Sequence, residues 1–200
     1  MMPTKMTPST SKFLVAGVVG FAIFAFSTRQ SLIGRSEEVS HRWANVESTL
    51  QRRLDLIPQL TEAVQSATAY ESETLLKITE ERNELLRLVE AMKSAIDSGE
   101  KSKAEQLDGE LVASVRAFTG LAREAYPELK ANEAYLTLMT QLEGTENRIN
   151  VARQDFNAAV AENNTSVRRW SWMPFCGGFA CAEPFRYRGP AEAPPLDLGR

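Results

Sequence analysis

Histidine is almost missing from this 200-residue sequence, with His41 standing alone. One imidazole excludes multi-histidine metal sites, and no Ser-His-Asp set is supported by spacing. Cysteine is nearly as scarce. Cys176 and Cys181 lack the second pair that a zinc site would need. The glutamate-rich stretch Glu80 to Glu84 has no Glu-x-x-His partner for a carboxylate-bridged metal pair, and no glycine-rich phosphate loop occurs. Glycine and proline are rare through the middle of the chain. Between Arg35 and Arg169 they are confined to Gly99, Gly109, Gly120, Gly144, Pro58 and Pro127. No run of alternating β-branched residues marks a strand there, so this region is expected to be almost wholly helical. A surplus of one charge is also lacking. A net charge of −3, with both signs interspersed, offers no basic field to nucleic acid.

What the sequence does have begins with an uninterrupted apolar run, FLVAGVVGFAIFAF, from Phe13 to Phe26. The sixteen residues between Lys12 and Arg29 span about 24 Å as a helix, against about 30 Å of hydrocarbon. Snorkelling of the two flanking cations makes up much of the difference. Phe13 to Thr28 is therefore read as a transmembrane helix. A cleaved signal peptide is the rival reading, with Lys5 and Lys12 as its basic region and Ala25-Phe26-Ser27 as its cleavage site. The immediate resumption of helical periodicity after Arg29, with no glycine or proline linker, favours the retained anchor. Charges flanking the run nearly balance, so they do not fix its orientation.

Beyond the anchor the apolar residues step in threes and fours. Val39, Trp43, Val46, Leu50, Leu54, Ile57, Leu60, Val64 and Ala67 form one stripe. It stays in phase through Pro58, so one continuous, kinked helix is expected there. Thr68 to Glu71 has the pattern of a capping box, opening a second helix with Leu75, Ile78, Arg82, Leu85, Val89, Met92 and Ile96 on one face. Ser98-Gly99 stops it. Ser102 to Glu105 is a second such box, leading into a third helix with Leu107, Leu111, Val115, Phe118 and Ala122. Tyr126-Pro127-Glu128 ends that helix and begins a fourth, which carries Tyr135, Leu138 or Met139, Leu142, Glu146, Ile149, Arg153, Phe156 and Val160. The expected fold is all-α: an N-terminal transmembrane helix followed by an antiparallel up-down four-helix bundle with long helices. The domains fall at 1–12 (a short N-terminal segment), 13–28 (the anchor), 29–167 (the bundle) and 168–200 (an aromatic, Pro/Gly-rich tail).

In that topology the fourth helix ends near the membrane. The tail there, RRWSWMPFCGGFACAEPF from Arg168, places Trp170, Trp172, Phe175 and Phe179 beside two arginines. Such residues suit a lipid–water boundary; they also suit covering the open end of a bundle, and both readings can hold.

Several motifs resemble those of the LemA family of bacterial membrane proteins. They are Arg52-Arg-x-Asp-Leu-Ile-Pro58, Glu71 with Thr79-Glu-Glu-Arg82, Tyr126-Pro-Glu-Leu-Lys-Ala-Asn132, and Thr145-Glu-Asn-x-Ile-x-x-Ala-Arg153 followed by Phe156-Asn157 and Val160. Met173-Pro174 and Ala-Glu-Ala-Pro-Pro at 191–195 extend the match, which runs from about Ile33 to Pro195. The third helix shows little that is distinctive, and Cys176 and Cys181 stand where the family pattern has apolar or basic residues. The resemblance implies one membrane anchor, a helical bundle and no agreed catalytic activity.

Charges in the apolar stripes are the remaining signal. Arg82, Glu146 and Arg153 occupy positions where apolar residues are expected, and a buried charge needs a partner. Glu146 and Arg153 are two turns apart, about 10 Å, too far for a direct bond. A cross-helix network is expected, drawing on Asp55 or Glu62, with Asn147, Asn150 and Asn157 adding hydrogen bonds. It would fix helix register, or bind a carboxylate-bearing or peptide ligand between helices. The expected function is a non-catalytic structural or interaction module of the bacterial inner (cytoplasmic) membrane. Its partners would be the lipid bilayer and another envelope protein, with no nucleic acid and no cofactor, and a homo-oligomer left open. The alternative is an exported soluble bundle binding a peptide or small ligand in the polar site.

Overall fold

In the computed structural model the described residues are 8–67, 72–173 and 178–186. They are all-α, with helices α1 (Pro8–Ala67), α2 (Ser72–Asp97), α3 (Lys101–Ala125) and α4 (Glu133–Trp170), and a short 3-10 helix (Pro127–Ala131) between α3 and α4. The Thr68–Glu71 capping box lies outside the described residues. Two compact units share these elements. One draws on Met1–Arg42 and Asn157–Pro184, the other on Trp43–Phe156 and Phe185–Arg200.

The second unit is the up-down bundle. Its core takes Val46, Leu50, Ile57, Leu60 and Val64 from α1, and Leu85, Val89 and Met92 from α2. Leu111, Val115, Phe118 and Ala122 come from α3, and Tyr135, Met139, Leu142, Ile149 and Phe156 from α4. Met139, not Leu138, takes the core position left open by the periodicity. α1 continues through Pro58 without a break. Proline removes the N–H that would meet the carbonyl of Leu54. Nearby carbonyls gain side-chain donors, with Gln59 Nε2 on Asp55 O at 2.9 Å and Thr61 Oγ1 on Pro58 O at 2.7 Å.

The turns differ from expectation in two places. Gly99 stops α2 with φ at +68°. Glu100 N–H donates to Ala95 O at 2.9 Å and Gly99 N–H to Ile96 O at 3.0 Å, the paired bonds of a Schellman motif. That turn feeds the chain directly into α3, which starts at Lys101 with Glu100 at the N-cap and no side-chain capping bond. The expected box at Ser102–Glu105 is therefore not made: Ser102 is already in the first turn, and Glu105 is buried. At the other turn Pro127 opens the 3-10 helix rather than α4. The cap of α4 is Asn132, whose Oδ1 accepts the Tyr135 N–H at 3.0 Å.

In the first unit Leu32, Val167 and Met173 form a small core, with Trp170 and Phe179 packed against it. Asn164 clips the tail to α4. Its Nδ2 donates to Ala182 O and its Oδ1 accepts the Ala182 N–H, each at 2.8 Å. From Phe13 to Phe26 the large apolar side chains of α1 are exposed. Among the described residues, α1 is the one helix long and apolar enough to cross a membrane.

Two measurements test this account. Gly99→Ala should cost about 1 kcal/mol, the penalty of a left-handed alanine, because open space surrounds the site and only the backbone resists. Gly120→Ala, on an exposed helical position with equal room, should instead gain about 0.5–1 kcal/mol. Opposite shifts in the urea midpoint of the detergent-solubilised chain are expected. The buried Tyr135 hydroxyl supplies the second test. It has no hydrogen-bond partner among the described residues, and burial raises its pKa, with Arg123 opposing. A raised folded pKa means that this contribution is whole below the ordinary tyrosine value, about 10, and is lost as pH rises toward the folded one. The stability difference between wild type and Tyr135→Phe should stay constant below that pH and move in favour of phenylalanine above it.

Candidate functional site

Four charged side chains from three helices meet inside the bundle. Arg53 of α1 donates through Nη1 to Glu146 Oε1 of α4 at 2.8 Å and through Nη2 to Asp108 Oδ1 of α3. Arg153, also on α4, donates through Nη2 to the second carboxylate oxygen of Asp108. Asp108 thus gives one oxygen to each arginine, and Arg53 joins both carboxylates. Two cations and two anions leave the set neutral. Arg53 is 1% exposed, Asp108 0% and Arg153 8%, whereas the Glu146 side chain is 29% exposed.

Such a set is costly to bury and more costly to break. Each isolated ion would lose several kcal/mol, as an order of magnitude, on leaving water. Burial opposes the charge on Arg53, but the attraction of Asp108 and Glu146 and the hydrogen bonds from both outweigh it. The net effect is a guanidinium pKa above the ordinary arginine value. Arg53 Nε is buried with no partner among the described residues, so the network is not fully satisfied.

Aromatic rings close one side of it. The Arg153 guanidinium lies 4.7 Å from the ring centre of Phe185, a tail residue that is itself buried. Phe185 leans on Trp43 at 6.2 Å, and Trp43 meets Phe156 edge-on at 5.3 Å. Lys101 Nζ sits 4.7 Å above the Trp43 ring and 5.7 Å from Phe156. The Phe185 contact sets apolar surface against the buried Arg153 cation without leaving it electrostatically bare, while Lys101 remains exposed.

Of the residues expected in the network, the structure brings together Glu146 and Arg153. Asp55 is not part of it. It lies two residues from Arg53, about 200° round the helix, is exposed, and accepts a bond from Gln51 Nε2 at 3.0 Å. Arg82 is half-buried on α2 and makes no ion pair with the set; its Nε has no partner among the described residues. Glu62, Asn147 and Asn150 are exposed, and Asn157 is half-buried. The missed members, Arg53 and Asp108, were visible as spacing. Val46, Leu50, Arg53, Ile57, Leu60 and Val64 step 4, 3, 4, 3, 4, as do Ala104, Asp108, Leu111, Val115, Phe118 and Ala122. A count of apolar residues alone selects Leu54 and Leu107 in their place.

The tail aromatics divide. Trp170 packs edge-on against Phe24 at 5.6 Å and lies half-buried, as does Phe179. Trp172 is 73% exposed, and Phe175 lies outside the described residues, as does Cys176. Cys181 is free and exposed. Among the described residues no three His, Cys, Asp or Glu side chains cluster as a metal site would need.

The fold and its interior define a class: an all-α protein with a candidate transmembrane helix and a helical bundle tied by a buried charge network. The LemA family profile matches residues 42–194, and the chain belongs to the LemA family. Similar relatives include Magnetosome protein MamQ 2 of Paramagnetospirillum magneticum, 28% identical over 200 residues, covering 90% of this chain and 72% of that protein. Magnetosome protein MamQ of Magnetospirillum gryphiswaldense is 23% identical over 197 residues, with the same coverage of 90% and 72%. Protein LemA of Metamycoplasma hominis is 25% identical over 153 residues, covering 74% of this chain and 64% of its own length.

Asp108→Asn should destabilise the bundle by about 3–5 kcal/mol, the usual cost of stranding buried partners. Replacing the buried three together (Arg53→Met, Asp108→Leu, Arg153→Met) should restore stability to within about 1 kcal/mol or exceed the wild type. Urea unfolding followed by the helical circular dichroism signal reads both.

Proposed function

We propose that this chain is a single-pass protein of the bacterial inner (cytoplasmic) membrane whose bundle serves as a non-catalytic structural or protein-interaction module of the cell envelope. The observation that carries this reading is the exposed apolar stretch of α1, from Phe13 to Phe26, within a single 60-residue helix. Apolar surface of that extent needs cover, and a bilayer supplies it. The charge network supports a register role. It is neutral, largely buried and closed by its own aromatics, so its donors and acceptors are mostly spent on one another. The partner would be another envelope protein or a second copy, docked on the outer faces of the helices.

Carbonate washing of cell membranes, combined with a membrane-impermeant maleimide directed at the exposed Cys181, tests the anchor. Retention in the pellet is expected, and labelling before or after permeabilisation then reports the side of the bundle. Release into the wash, with a mature N-terminus near Thr28, would overturn the reading in favour of an exported soluble bundle.

A further inference from the structure

Resting on the anchor reading just given, we propose that the turn following α4 is a second, non-spanning membrane contact. In it Trp172 enters the headgroup layer of the bilayer that holds α1, and Arg168 and Arg169 pair with anionic lipid headgroups.

The turn is held by aromatic packing against α1. Trp170 meets Phe24 edge-on at 5.6 Å, and Phe24 lies near the C-terminal end of the apolar run, two residues before Phe26. Trp170 and Phe179 also pack on the cluster of Leu32, Val167 and Met173. These contacts set the end of α4 beside the place where α1 changes from apolar to polar. For a spanning α1, that is the level of the headgroups, where tryptophan and arginine are favoured.

The turn itself faces outward. Met173 N–H donates to Trp170 O at 3.0 Å and Ser171 Oγ to Arg168 O at 3.1 Å, so the chain reverses tightly between two inward-packed residues. Trp172, between them, is left 73% exposed. The Trp172 indole thus projects while Trp170, Met173 and Phe179 pack inward. It lies two residues beyond Trp170, whose ring meets Phe24 of the exposed apolar run.

Charge selects the lipid. Arg168 and Arg169 are exposed, as is Arg29 at the end of the apolar run. Between Asn163 and Ala182 the sequence contains no aspartate or glutamate. Glu162, the last acid before that stretch, is already paired with Arg35 at 3.0 Å. The surface at this level is therefore cationic around one exposed indole, a complement to anionic headgroups.

The test uses the full chain reconstituted in vesicles of phosphatidylcholine with phosphatidylglycerol, bearing bromine on shallow acyl carbons in a parallel set. Emission belonging to Trp172 is isolated in two ways: as the difference between wild type and Trp172→Ala, and directly in Trp43→Phe/Trp170→Phe. Bromolipid should remove about half or more of that emission, as for an indole at the interface. Aqueous iodide should have little effect. Arg168→Glu/Arg169→Glu should weaken the bromolipid quenching in anionic vesicles and leave it unchanged in pure phosphatidylcholine. A chain that floats with the vesicles but whose Trp172 is quenched by iodide and not by bromolipid would overturn the inference while sparing the anchor; the exposed indole would then belong to a protein partner. Quenching indifferent to lipid charge and to the double substitution would overturn the role of the two arginines. A chain that does not float would overturn both readings.

Discussion

The bundle hangs on one carboxylate. Asp108 is wholly buried on α3 and gives each oxygen to an arginine, one on α1 and one on α4. Apolar packing alone tolerates helices that slide by a turn, because one leucine resembles the next. A buried aspartate does not tolerate it: any slip that moves Arg53 or Arg153 away leaves an unpaired ion in a low-dielectric interior. The network is therefore expected to constrain register more than it adds stability. Its four members come from α1, α3 and α4. The remaining helix, α2, packs against α3, buries Ile78, Leu85, Leu88, Val89, Met92 and Ala95, and ends at the Gly99 turn.

The position of Arg53 gives the neighbouring Pro58 a physical context. Arg53 and Leu54 are both buried, at adjacent positions of α1, and Leu54 supplies the carbonyl that Pro58 deprives of a donor. A weakened ladder normally permits bending. Here the turn before the proline is held by a guanidinium bonded to two other helices, and the turns after it by Leu60 and Val64 in the core. The helix can therefore carry a proline without losing the phase of its buried face.

The fold was legible because its periodicity is long and glycine and proline are rare. Most described members of each stripe are buried, while Ile96 and Leu107 are half-buried and the buried Arg53, Leu88, Ala95 and Asp108 fall outside the stripes. The start of α3 and the start of α4 were read from capping patterns, which local geometry overrode: the Schellman turn at Gly99 left no room for Ser102 to cap, and Asn132 displaced Pro127 as the start of the last helix. The site was legible only in part. Glu146 and Arg153 stood out because no leucine adjoined them to take their place in the count. Arg53 and Asp108 each sit beside a leucine, Leu54 and Leu107, and a count of apolar residues passes over them. Only the strict heptad interval, imposed without regard to residue type, separates Asp108, fully buried, from Leu107, half-buried.

The tail belongs to this structure as much as the helices do. Asn164 satisfies both backbone groups of Ala182 with one carboxamide, a two-bond clip that a hydrophobic side chain could not make. Phe185 then lies on the guanidinium of Arg153, covering a buried cation with the negative face of a ring. Without that ring, Arg153 would be open to water on one face, and water would weaken its attraction to Asp108. A segment that reads by composition as a Pro/Gly-rich appendage therefore supplies part of the low-dielectric environment that makes the charge network specific.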